Sequence, residues 1–159
     1  MARQRFGDRG EWYVVAQFIL MIALVVVPPR VNGWPAPLPS HPLLDALAVV
    51  LIVAGIVLLF VGGRHLGRNL TPLPTPKSSN ALVHHGVYRL VRHPIYGGLM
   101  LMAVGWGLRR GGGLTIVCAV LLVWVLAAKS RREEIWLTLR HPEYAAYRRH
   151  TKRFLPLIW

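Results

Sequence analysis

Four apolar runs divide the chain: Trp12 to Val27, Leu43 to Val61, Ile95 to Leu108 and Leu114 to Ala128. No Lys, Arg or Glu falls inside them, and Asp45 stands at the start of the second, where a helix N-terminus favours an acid. Such runs fit a bilayer, where the backbone must satisfy its own hydrogen bonds, so each predicts a helix. The second is long enough to span with ease. The third and fourth fall short of the ~20 residues of a usual span. They are joined by Arg109-Arg110-Gly111-Gly112-Gly113, which predicts a helical hairpin with arginines snorkelling at its tip. From Arg131 to His150, Ile135, Leu139, Tyr144 and Tyr147 recur at roughly helical spacing among charges. That pattern predicts an amphipathic helix on the membrane surface, broken or restarted near Pro142. The loop from Pro28 to Pro42 and the start of the next, Leu70 to Pro76, are proline-rich and extended. The expected fold is an all-α integral membrane protein of one domain, residues 1–159, with about four transmembrane helices, a C-terminal helical hairpin and an amphipathic cytoplasmic tail.

Composition strengthens the membrane reading: 54% of residues are hydrophobic, more than a soluble domain of 159 residues could keep from water. The net charge of +13 makes nucleic acid the first partner to consider. The basic residues flank the apolar runs, however, and form no free-standing patch, which fits anionic lipid and excludes nucleic acid. Arg3, Arg5 and Arg9 precede the first run; the loop after it has only Arg30. Arg64, Arg68, Lys77, Arg89 and Arg92 lie between the second and third, two arginines mark the hairpin tip, and the tail from Lys129 onward is rich in both cations. With four helices the heavily basic segments fall on one side, which predicts that both termini are cytoplasmic. Arginine greatly outnumbers lysine, as in GC-rich genomes, so the membrane is expected to be a bacterial cytoplasmic one. Pro28-Pro29-Arg30 follows the first run without a small-residue cleavage pattern, so that run is expected to stay in the mature chain. The one cysteine, Cys118, excludes an internal disulfide and reads as a small buried hydrophobe.

Candidate chemistry concentrates in two segments, 80–98 and 129–156, which hold most of the histidines and three of the six acids. One enters the hairpin and the other leaves it, so they are expected to meet at the membrane surface. The first reads Asn80-Ala81-Leu82-Val83-His84-His85-Gly86-Val87-Tyr88-Arg89-Leu90-Val91-Arg92-His93-Pro94-Ile95-Tyr96-Gly97-Gly98. The second contains Arg131-Arg132-Glu133-Glu134-Ile135-Trp136-Leu137, then Tyr144, Tyr147 and Lys152-Arg153-Phe154-Leu155-Pro156. Together, in this order, the two blocks resemble the isoprenylcysteine carboxyl methyltransferase family and the related phospholipid methyltransferases, over about residues 80 to 156. The resemblance implies S-adenosyl-L-methionine as cofactor and methyl transfer to a lipophilic or membrane-partitioned acceptor. It implies cofactor contacts at Asn80, Ala81, Leu82, Val83, Tyr88, His93, Pro94, Ile95, Tyr96 and Glu134. The family's acceptor-orienting arginine falls near Lys129 or Ser130, so Arg131 or Arg132 is expected to take that role by a small shift. Arg140-His141-Pro142 stands where the family has Phe-Gly.

The cofactor's own chemistry agrees with these residues. A sulfonium cation and a zwitterionic amino acid need an acid, donors and apolar or aromatic walls. Tyr88, His93 and Tyr96 can supply walls and donors, and Glu134 is an acid just past a membrane helix. Only one of Glu133 and Glu134 is expected to face the pocket, because neighbours on a helix are ~100° apart, and Glu134 is the one chosen. Gly97, Gly98, Gly105 and Gly107 on the third helix permit close packing or a groove. Packing is expected at Gly105 and Gly107, and a lipid-side groove for the acceptor at Gly98. His84-His85 lacks a third ligand, so no metal is expected. Taken singly, Tyr88 and Tyr96 read equally as interfacial aromatics, and Arg131 to Glu134 as a solvated ion-pair patch. Three alternatives stay open: a phospholipid, amine or thiol acceptor; a sterol-reductase-like nicotinamide enzyme, which lacks support from any Gly-rich fingerprint; and a non-catalytic lipid-binding scaffold.

Overall fold

The computed structural model describes residues 9–28, 41–73 and 82–156. Five helices follow in order: α1 Glu11–Val26, α2 Pro42–Leu66, α3 Pro94–Arg110, α4 Gly113–Arg140 and α5 Tyr144–His150, with 3-10 turns at Gly67–Asn69 and Gly86–Arg89. Among the described residues there is no strand beyond an isolated parallel bridge between Val91 and Lys152. Each helix boundary has a local cause. Pro42 and Pro94 open α2 and α3, where a missing N–H and a fixed φ cost nothing. Gly111, at φ 63°, closes α3 in the left-handed conformation, and its N–H donates to the Gly107 carbonyl.

One expectation is corrected at α4. The residues from Arg131 to Arg140 are not a separate surface helix but the continuation of the fourth apolar run, in a single helix of 28 residues. Nothing between Lys129 and Arg140 is Gly or Pro, so no residue interrupts the hydrogen-bond ladder until Pro142. The expected break near Pro142 is present, and α5 begins beyond it.

The long helices pack in a row, α2 on α3, α3 on α4 and α4 on α1. The α2–α3 contact is closest. A Cβ on Gly55 would lie 2.6 Å from the Gly98 carbonyl oxygen, a Cβ on Gly98 2.6 Å from the Gly55 carbonyl, and a Cβ on Gly105 2.7 Å from the Ala48 carbonyl. Absent side chains therefore let the two backbones touch. The groove expected at Gly98 is not there, because α2 fills the space. Gly105 packs as expected, and Gly107 lies over Ala119 of α4.

Around this core the outer faces are apolar and exposed. Trp12, Phe18, Ile19 and Ile22 on α1, Val50, Val53 and Phe60 on α2, and Val120 and Trp124 on α4 all point outward. A belt of this kind belongs against lipid, and α2 and α4 are each long and apolar enough to cross a membrane. The hairpin tip is at the end opposite α5. There Arg109 pairs with Asp45 at the start of α2, at 3.1 Å, and Arg110 donates to the Val27 carbonyl at the end of α1, at 3.2 Å. The tip arginines thus sit on the lightly charged side, partnered by an acid and a helix C-terminus.

The glycine contacts give a direct expectation. Gly98→Ala should lower the melting temperature in detergent, reflecting about 1–3 kcal/mol of overpacking. Gly63→Ala, where an added Cβ meets nothing within 4 Å, should leave it unchanged or raise it. Equal behaviour of the two variants in a thermal unfolding assay would contradict the packing described.

Candidate active site

At the α5 end of the bundle the chain leaving α5 is laid against the segment that enters α3. The Arg92 and His93 amides donate to the Lys152 and Arg153 carbonyls, each at 2.9 Å, and the Lys152 amide returns to Leu90 at 3.3 Å. Gly97 admits this strap, since a Cβ there would lie 2.5 Å from the Phe154 carbonyl oxygen. Phe154 itself is buried in the core.

Glu134 locks the strap in place. Its carboxylate accepts from Arg92 Nε at 2.9 Å, from His93 Nε2 at 3.2 Å and from Arg153 Nη2 at 2.7 Å. Arg92 also donates to the Thr151 and Arg148 carbonyls. The Glu134 side chain is 3% exposed. Burial pushes its carboxyl up, but the hydrogen bonds from His93, Arg153 and Arg92 outweigh it and hold the group below the ordinary carboxylate range.

Beside this clasp lies a cleft of about 810 Å³, its open mouth included. The end of α2 and the turn after it supply Leu66, Asn69 and Leu70; the segment before α3 supplies Leu82, Val83, Tyr88 and Arg92. His93, Ile95 and Tyr96 come from the start of α3, Glu133, Leu137 and His141 from α4 and its end, and Tyr144 and Tyr147 from α5. Glu133, Leu137 and His141 are spaced by four residues, which puts them in one stripe along α4. Lys129 is the next residue down that stripe, toward the apolar core. Its side chain is 1% exposed, its Nζ donates to Gln17 Oε1 of α1 at 2.7 Å, and it lies 5.0 Å from the Tyr96 ring centre. Tyr96, which lines the cleft as Lys129 does not, is stacked on His93 with ring centres 5.4 Å apart and donates its hydroxyl to Glu133 Oε2 at 2.8 Å.

The structure thus brings together Leu82, Val83, Tyr88, His93, Ile95 and Tyr96 in one cleft wall. Pro94 is buried just behind, against Gly62. Asn80 and Ala81 lie outside the described residues. The acid facing the cleft is Glu133, whereas Glu134, chosen from the sequence, is turned ~100° away into the clasp. Arg131 is exposed and is not part of the cleft wall, two residues and so ~200° round the helix from Glu133. Ser130 is buried and donates back to the Ala127 carbonyl at 2.8 Å. Residues that sequence reasoning missed are Arg92 and Arg153 as partners of Glu134, Tyr144 as a cleft wall, and Gln17. The signal for Gln17 was available: it is an uncharged polar residue within the first apolar run. Among the described residues, no three of His, Cys, Asp and Glu converge on a metal site.

Comparison with known proteins adds to the geometry. The profile of the phospholipid methyltransferase family matches residues 44–143. The cobalt-zinc-cadmium resistance protein CzcN of Cupriavidus metallidurans is 32% identical over 153 residues, 94% of this chain and 63% of that protein. A probable protein-S-isoprenylcysteine O-methyltransferase of Oryza sativa is 30% identical over 116 residues, covering 70% of this chain and 61% of that one. Protein-S-isoprenylcysteine O-methyltransferase A of Arabidopsis thaliana is 29% identical over 115 residues, 68% and 58% of the two chains. The fold matches that of the eukaryotic intramembrane Ras methyltransferase ICMT with a TM-score of 0.61 at 21% identity, over 98% of this chain and 55% of that chain. The chain therefore spans about three fifths of the length of these curated relatives.

The two glutamates should separate cleanly in stability measurements. Glu134→Gln leaves Arg92 and Arg153 short of their carboxylate and should cost about 3 kcal/mol or more, with earlier proteolysis at Arg148 and Arg149. Glu133→Gln should change stability by under about 1 kcal/mol. Because the folded Glu134 carboxyl lies below its ordinary range, its contribution is present at neutral pH. It is lost as pH falls below about 4, a loss that Glu134→Gln should abolish in melting curves against pH.

Proposed function

Because this chain belongs to the phospholipid methyltransferase family, we propose that it transfers a methyl group from S-adenosyl-L-methionine to a lipophilic acceptor at the cytoplasmic face of its membrane. The observation that carries this reading is the cleft between the clasp and α4, with Glu133 and Tyr96 in its wall and Lys129 buried directly behind Tyr96. Its walls offer aromatic faces, apolar side chains, the Glu133 carboxylate and one buried hydroxyl, that of Tyr144, without a hydrogen-bond partner among the described residues. Leu82, Val83, Tyr88, His93, Ile95 and Tyr96 would hold the cofactor, with Asn80 and Ala81 in the same segment.

When bound, the cofactor supplies a methyl group on a positively charged sulfur. The chain's contribution is position and charge. Glu133, oriented by the Tyr96 hydroxyl, places negative charge beside the cationic donor. Tyr96 and His93 form a stacked wall between the cleft and the apolar core. Lys129 stands on the core side of that wall, where it orients an acceptor carrying a carboxylate. This favours O-methylation of a lipophilic acid, as the names of the plant relatives describe for isoprenylcysteine. The second reading is an amine acceptor, as in a phospholipid headgroup. It is favoured by Glu133, a carboxylate in the cleft able to accept the proton an amine must lose. Both readings put the water-soluble cofactor's entry on the α5 side. The basic residues concentrated on that side support a cytoplasmic location for it and for both termini.

Purified protein should bind S-adenosylhomocysteine in a calorimeter, and membranes containing it should transfer labelled methyl from S-adenosylmethionine into the lipid-soluble fraction. Glu133→Gln should cut the transfer rate by about tenfold or more. Lys129→Met should impair turnover of carboxylate acceptors and spare amines. A protein that binds no S-adenosylhomocysteine is not a methyltransferase of this kind.

A further inference from the structure

Four tyrosines line the cleft, and three of their hydroxyls are committed to the protein. Tyr88 donates to the Gly62 carbonyl at 3.4 Å, Tyr96 to Glu133, and Tyr147 to the Tyr88 carbonyl. Tyr144 differs. The residue is 1% exposed, and its buried hydroxyl has no hydrogen-bond partner among the described residues. Burying an unpaired hydroxyl carries a substantial desolvation penalty, and phenylalanine would fill the same space without it. A buried donor left unmatched in a cleft wall is matched by what the cleft binds. Burial, with Glu134 next in effect, pushes the Tyr144 phenol well above its ordinary range, so it stays protonated and able to donate at neutral pH.

The charges around Tyr144 say what it donates to. Arg92, which also lines the cleft, acts on it directly. Glu134 acts on it too, but that carboxylate is spent on Arg92, His93 and Arg153, with Arg148 a further 3.8 Å from it. The clasp therefore sets several cations, Arg92, Arg148 and Arg153, around one acid beside Tyr144, while Glu134 and, more weakly, Glu133 also act on its phenol. The unspent acid is Glu133, tied to Tyr96 on the start of α3. The cleft offers a hydroxyl donor with positive charge behind it at one place and a carboxylate at another. A small zwitterion matches that polarity.

We propose that Tyr144 is a specificity-determining residue: its hydroxyl donates to the carboxylate of the amino-acid portion of a bound adenosyl thioether or sulfonium, leaving the cationic portion to Glu133. This rests on the methyl-donor reading above. It assigns a ligand contact to the α5 tail, and it gives the Glu134 clasp a purpose in binding, since the clasp holds α5 where Tyr144 can reach the ligand.

Two probes test it by calorimetry: S-adenosylhomocysteine, which carries the carboxylate, and 5′-methylthioadenosine, which shares the nucleoside and thioether but lacks it. Tyr144→Phe should weaken S-adenosylhomocysteine about tenfold, the loss expected for one hydrogen bond to a charged group, and leave methylthioadenosine affinity unchanged. The ligand-free melting temperature should be unchanged or higher. Retained methylthioadenosine binding also reports that the variant is folded. Tyr147→Phe, which removes a hydroxyl already bonded to the Tyr88 carbonyl, should weaken both probes alike. Wild-type affinity of Tyr144→Phe for S-adenosylhomocysteine overturns the inference, as does an equal loss of both probes. Failure of the wild-type protein to bind either probe overturns the methyl-donor reading itself, and the two failures are thereby distinguished.

Discussion

A buried carboxylate is expensive to remove from water, and Glu134 is tolerated at 3% exposure because three donors from two distant stretches of chain converge on it. Arg92 and His93 come from the approach to α3, and Arg153 from the strap beyond α5. Remove the carboxylate and these cations are left facing one another. The strap then keeps its three backbone hydrogen bonds, the Arg92 bonds to the Thr151 and Arg148 carbonyls and the burial of Phe154. α5 has seven residues, too few to be helical by itself in water. Its position, and with it the Tyr144 and Tyr147 wall of the cleft, is set by the clasp. The cleft has this wall because a charge network assembles it.

The same network divides the two adjacent acids between different tasks. Neighbouring residues on α4 point ~100° apart, so Glu134 enters the clasp and Glu133 reaches the cleft. Tyr96 then links the two regions: it stacks on His93, a member of the clasp, and donates to Glu133. Lys129 continues the Glu133 stripe toward the membrane core, its ammonium held by Gln17 and the Tyr96 ring. A buried ammonium is costly unless paired, and Gln17 supplies the oxygen from within the apolar run of α1.

The membrane-embedded part of the molecule is built to hold this arrangement rigidly. Gly55, Gly98 and Gly105 bring α2 and α3 into backbone contact, fixing the start of α3 relative to the end of α2, both of which line the cleft. α4 then carries the site outward as one unbroken helix from the apolar core to the cleft rim. A hinge at Ala128, where the hydrophobic run stops, would have uncoupled Lys129 and Glu133 from the apolar core. The helix-forming residues from Lys129 to Arg140 prevent one.

Much of this was legible in the sequence. Apolar runs free of charge, bounded by proline and glycine, determine the helices, because a backbone in lipid has no other way to satisfy its hydrogen bonds. The resemblance carried by the two polar blocks pointed to the family and implied that Tyr88, His93 and Tyr96 would share a site. Other features depended on which way side chains turn and on what meets them across space. Glu133 and Glu134 are indistinguishable as letters, and only the position of Arg92 and Arg153 around α4 decides which is clasp and which is cleft. Gly98 reads equally as groove or contact until α2 is seen to lie on it. Gln17 and Lys129 take their meaning from partners more than a hundred residues apart, and Tyr144 from a hydroxyl with no hydrogen-bond partner among the described residues. Local composition sets elements, but the pairing of buried polar groups is a property of the packed chain, and only the tertiary structure decided it.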